Sequence, residues 1–132
     1  MDNKELIQEA KDFLDRRYKK GFHVVGCALK TKSGKIYTGI SMNSQKVDIC
    51  AEWSAITRAI SEGDDEIELA VAVKKDDEGN FEILPPCGLC RELYVTYFPE
   101  IKVIISETSI KTPDELLPNA WKKKKMEKPP SK

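Results

Sequence analysis

The sequence predicts an α/β fold: one domain in three layers, with helices on both faces of a mixed central sheet of about five strands. Three observations point there. Stretches with helical spacing of apolar residues alternate with short runs rich in β-branched residues. Two of those runs, "EIELAVAVKK" (66–75) and "IKVIIS" (101–106), are apolar enough to be covered on both faces, as internal strands are. A chain of 132 residues with 40% apolar content is large enough for one real core.

The elements follow in order. Residues 3–18 place Leu6, Ile7, Ala10, Phe13 and Leu14 on one helical stripe. "FHVVGCALKT" (22–31) reads as a buried strand, "KSGK" as a turn, and "IYTGISM" (36–42) as the second arm of a hairpin. Asp48 can cap a helix running to about Ser61, with Gly63 as its stop. Its buried stripe is Ala55, Ile56, Ala59 and Ile60. After the strand at 66–75, "DDEGN" turns the chain, and Pro86 suits the first position of a helix over "CGLCRELYVTYF". The strand at 101–106 comes next, with "SIKT" as a candidate short strand and "TPDELLP" as one or two helical turns. Residues 1–121 form the domain. The tail "KKKKMEKPPSK" (122–132) has little to bury and is expected to be disordered.

Charge and cysteine usage exclude several classes. The two signs balance at 22 each, but the tail holds six lysines and one glutamate, so the body is acidic. An acidic body argues against a nucleic-acid groove. No apolar run approaches the length of a membrane span, and "MDNKELIQEA" is no secretion leader. The four cysteines lack disulfide-framework spacing, so reduced thiols in a cytoplasmic protein are expected.

Two features carry chemistry. Cys87 and Cys90 stand three apart at the start of a predicted helix, where two thiolates can hold one tetrahedral ion. Taken alone, the pair also admits a redox disulfide or two buried structural cysteines. Glu52 lies on the buried stripe of its own helix, where a carboxylate is neutral, paired or at work. Taken alone, it also fits an ordinary first-turn glutamate complementing the helix dipole. Cys50 precedes it by two residues in the same first turn. C-A-E followed by P-C-x-x-C is a far more specific signal, because three ligands with an open fourth position is the layout of a catalytic zinc.

Those motifs, "CAE" (50–52) and "PCGLCREL" (86–93), resemble the zinc-dependent cytidine deaminases in their small, usually tetrameric branch. The resemblance spans about residues 21–121, through "VGCALKTKSGKIYTGI" and "ELLPNAW", and is nearest to the blasticidin-S deaminases. It implies one zinc held by Cys50, Cys87 and Cys90, and Glu52 as the proton shuttle in hydrolytic loss of ammonia from a cytosine nucleoside. It implies substrate contacts at His23, Ser41, Asn43, Ala51, Pro86 and Trp121, the Pro86 carbonyl facing the amino group. It also implies a homotetramer in which neighbouring chains complete each site.

The chain departs from the family pattern in places. Trp53 stands where arginine often follows C-A-E to offset thiolate charge, leaving Arg91 or Arg58 to balance it. Ser41 and Asn43 stand where an asparagine and a glutamate bind ribose. His23 and Cys27 each have plain structural readings, and either could close a four-ligand structural zinc site in a non-catalytic module. Glu52 discriminates, since a structural site gives no reason for a carboxylate on the buried stripe. A nucleic-acid deaminase of the same fold is the third reading, disfavoured by the acidic body.

Overall fold

Helix α1 (Asn3–Arg17) lays Leu6, Ile7, Ala10 and Leu14 on one face of the sheet, as the apolar spacing requires. The computed structural model describes residues 3–121; the lysine-rich segment lies outside them. Strands β1 (Val25–Thr31) and β2 (Ile36–Ile40) make the expected hairpin. The first strand starts later than its apolar run suggests, because His23 pairs with Lys19 in an isolated antiparallel bridge. Past Ile40 the chain leaves the main sheet. Strands β3 (Met42–Asn43) and β4 (Asp48–Ile49) form a separate two-residue ribbon.

Helix α2 (Ala51–Ser61) follows directly, then β5 (Ile67–Lys75), β6 (Phe81–Leu84), α3 (Gly88–Tyr97), β7 (Lys102–Ser106), β8 (Ser109–Lys111) and the single turn α4 (Pro113–Leu116). The main sheet runs β2-β1-β5-β7-β8, with β6 also paired to β5. It is mixed: β5 and β7 are parallel, and the other pairs are antiparallel. Strand β7 takes residues 69–71 of β5 and β6 takes residues 72–75, so both occupy one flank of it. Strand β6 brings the sheet to six strands. Its four residues are at best half-buried, too short and too exposed for a period to register in sequence.

The expected three layers are present. Side chains alternate across β1 and β5. Ala28, Val71 and Val73 face α1, while Cys27, Leu29 and Ala70 face the layer of α2 and α3. At Gly39 an added Cβ would lie 2.3 Å from the Ala55 backbone nitrogen, so α2 rests on β2 at a distance that only glycine permits. The Ser54 hydroxyl donates to the Ile40 carbonyl at 2.9 Å, fixing the first turn of α2 over the strand.

Both helix starts differ from expectation. Asp48 does not cap α2: pairing of Asn43 with Asp48 holds it in the ribbon, and Cys50, with extended backbone (φ −68°, ψ 146°), is the cap residue. Pro86 is likewise outside α3, whose cap residue is Cys87. Proline's fixed φ suits extended backbone as well as a first helical turn, so its presence alone did not locate the start. Gly63 follows the end of α2 with φ +77°, as a helix stop should. Ile60 is 37% exposed, so the buried stripe of α2 ends at Ala59.

Candidate active site

The two unexpected helix starts are what assemble the site. Cys50 and Cys87 occupy the cap positions of α2 and α3, and Cys90 sits in the first turn of α3. The three Sγ atoms lie within 4.8 Å of one another, and Cys50 and Cys87 are 3.6 Å apart. That separation is too long for a disulfide. Two thiolates on a tetrahedral zinc, with Zn–S of about 2.3 Å, are about 3.8 Å apart, so the donor set fits the ion. Among the described residues neither His23 nor Cys27 joins this group. Cys27 is fully buried in β1.

Without a cation the three thiols resist ionising together. Burial pushes Cys50 up to about 11, reinforced by its hydrogen bond with Cys87. Burial likewise raises Cys90 strongly, with the Glu52 charge adding to it. Burial also acts on Cys87, but backbone N–H groups of Cys90 and Leu89 and the neighbouring thiols outweigh it, so Cys87 falls below the usual thiol range. The cluster is poised for a divalent cation that displaces the remaining protons. Three thiolates and Zn²⁺ leave a net charge of −1. Two helix N-termini supply about +0.5 each at the same place.

No arginine completes that balance by direct contact. Arg91 donates through Nε to the Pro86 carbonyl at 2.7 Å and through a terminal nitrogen to the Leu116 carbonyl at 2.9 Å. It therefore ties the loop before Cys87 to α4. Arg58 is held by the Thr38 carbonyl at 2.8 Å. Trp53 contributes a buried indole N–H that has no hydrogen-bond partner among the described residues.

Glu52 is buried at 7% exposure on the inner face of α2. Burial raises its pKa, partly offset by hydrogen bonds from its own backbone N–H and from the Cys90 thiol. A carboxylate held away from water against a thiol ligand set fits proton transfer better than dipole complementation alone.

Beside Glu52 and the thiols lies a cavity of about 270 Å³. Val24, Val25, Ile49 and Leu84 give it apolar walls, and Ser41, Asn43 and Ala51 line it too. The Ser41 hydroxyl is also engaged, accepting from the Val25 N–H at 3.2 Å. Three expected substrate contacts are elsewhere. His23 donates from Nδ1 to the Ser41 carbonyl at 2.8 Å, bracing the cavity from behind. Pro86 is buried outside the lining, its carbonyl given to Arg91. Trp121 is 80% exposed and does not line the cavity of its own chain. Asp48, read from sequence only as a helix cap, does line it. Its role is set by the β3–β4 ribbon, for which the sequence carries no periodic signal.

Comparison with known proteins agrees with this geometry. Residues 1–106 match the family described as the cytidine and deoxycytidylate deaminase zinc-binding region. The chain is 32% identical over 123 residues to a blasticidin-S deaminase of Bacillus cereus, covering 86% of this chain and 88% of that protein. It is also 32% identical over 129 residues to a cytidine deaminase of Halalkalibacterium halodurans, covering 92% and 95%. Among solved structures, the cytidine deaminase from Mycobacterium leprae superposes with a TM-score of 0.74 at 27% identity, covering 89% and 98%.

Proposed function

From the premise that the chain belongs to the cytidine and deoxycytidylate deaminase family, we propose that it hydrolyses the 4-amino group of a cytosine nucleoside. The substrate is cytidine, deoxycytidine or a blasticidin-S-like analogue; the products are the uracil form and ammonia. The observation that carries this reading is Glu52, a buried carboxylate beside three clustered thiols at the floor of a cavity.

Cys50, Cys87 and Cys90 are the residues that would hold the zinc. Zinc, when bound, lowers the pKa of water toward neutrality. Glu52 takes a proton from the attacking water and delivers it to ring N3, making C4 electrophilic. Water's oxygen forms a bond to C4; Glu52 then takes the second proton from that C4 hydroxyl and gives it to the amine, and as C4=O forms the C4–N bond breaks and ammonia leaves. Burial raises the Glu52 pKa, which brings the carboxylate closer to the range in which it can both take and give a proton. The apolar walls flank the flat ring and exclude bulk water.

Ammonia release should be measured on cytidine, deoxycytidine, cytosine, N4-substituted cytidines and blasticidin S. Turnover of cytosine nucleosides is expected, with weaker discrimination among sugars than a dedicated cytidine deaminase, because no glutamate stands at the position of Asn43. If these compounds are inert while a purine compound reacts, the pyrimidine assignment fails.

The enzyme is proposed to act as a homotetramer in the cytoplasm, where its free thiols stay reduced. Phe22, Met42, Val47, Leu89 and Trp121 are all more than half exposed, and this much exposed apolar surface suits contact between copies. No helix among the described residues is long and apolar enough to cross a membrane. Light scattering should give four times the chain mass; a fully active monomer contradicts this.

A further inference from the structure

We propose that Asp48 is the specificity-determining carboxylate of the site, accepting a hydrogen bond from a sugar hydroxyl of the nucleoside. This rests on the deaminase reading and adds to it a residue with no assigned role.

Four observations converge. Asp48 lines the same cavity as Cys50, Glu52 and Cys87, and apart from Glu52 it is the only carboxylate in that lining. It sits in antiparallel register with Asn43, also in the lining, so the two residues face each other across the ribbon beside the cavity. Its chain continues directly into Cys50: two extended residues span about 7 Å, roughly the offset from a reacting base to the sugar it carries. Its carboxylate is exposed and makes no hydrogen bond or ion pair with any described residue. By contrast, Asp15, Asp64, Asp76 and Asp77 are all engaged, with Lys75, with Thr31, Ser33 and Tyr37, with Asn80, and with Tyr18 and Lys20 respectively.

The chemistry selects the ligand. On the deaminase reading the ring's C4 must meet Glu52 and the thiols, which leaves the group on N1 for the exposed part of the lining, where Asn43 and Asp48 stand. Two other polar groups line it: Asn43 is a neutral amide, and Ser41 a neutral hydroxyl that already accepts one hydrogen bond, from the Val25 N–H. Asp48 is the exposed charged acceptor in the lining, and a charged acceptor gives a stronger hydrogen bond to a hydroxyl than a neutral one. The sugar-facing carboxylate thus comes from β4 rather than from the strand that ends at Asn43.

The test compares cytidine with 2′,3′-dideoxycytidine in the zinc-loaded wild type and in Asp48→Asn, with zinc content measured for both. Loss of a charged acceptor to a hydroxyl corresponds to about 10- to 100-fold in affinity. The variant should lose about that factor in kcat/KM on cytidine, mainly through KM, and several-fold less on the dideoxy compound. Its zinc content should match the wild type. Equal losses on both compounds, lost zinc, or no loss on cytidine would each overturn the assignment. A wild type that deaminates blasticidin S but neither of these compounds keeps the deaminase reading and overturns this inference; one inert toward all three removes both.

Discussion

Cys90→Ala is expected to strip the protein of zinc and to abolish deamination. Cys90 is fully buried, and its Sγ is within 4.8 Å of the other two thiols, so alanine removes one of three ligands from a closed corner. Activity should fall by at least about 10³-fold, because metal-free water, with a pKa near 15.7, is a poor nucleophile at neutral pH. Stability should fall too. An ion at about a thousand times its dissociation constant stabilises the fold by about 4 kcal/mol, and this is lost with the ion. In a domain of this size that is a fall of about 10 °C or more in Tm. Chelated wild type is the control: most of the loss should appear there without any mutation, and the remainder is the small void left by the sulfur. A variant that keeps its zinc and its rate would remove Cys90 from the ligand set.

How much of this was legible in the chain differs from residue to residue. Cys50, Cys87 and Cys90 were readable from their spacing, ligand-type side chains at two predicted helix starts, and Glu52 because a carboxylate on a buried stripe is costly unless paired or at work. The helix starts were misplaced, since Asp48 and Pro86 carry the usual start signals while the true cap positions are held by cysteines. At Asp48, strand pairing with Asn43 overrides the local preference. Only the charge of Arg91 is visible in sequence; its hydrogen-bond partners, the Pro86 and Leu116 carbonyls, are fixed by how α4 packs beside α3. Leu84 and Pro85 entered the cavity lining through β6, whose four residues give no period to read. Asp48 joins the cavity lining through the β3–β4 ribbon, whose two-residue strands give no period to read.

Glu52→Gln is the second large effect, and it isolates chemistry from structure. Glutamine matches glutamate in size, so α2 keeps its packing. The amide carries no charge, so the burial that raises the Glu52 pKa no longer disfavours the folded site, and stability should hold or rise. The zinc ligands are untouched, so about one zinc per chain should remain. What glutamine cannot do is take a proton from water and return it to the leaving amine, and losing a positioned acid–base group typically costs about 10²–10⁴-fold in rate. The decisive measurement is ammonia release from cytidine by zinc-loaded Glu52→Gln beside zinc-loaded wild type, with metal content determined on the same samples. A proton-shuttling Glu52 predicts equal zinc and a kcat lower by about 10²–10⁴-fold. Equal zinc with a near wild-type rate would contradict it.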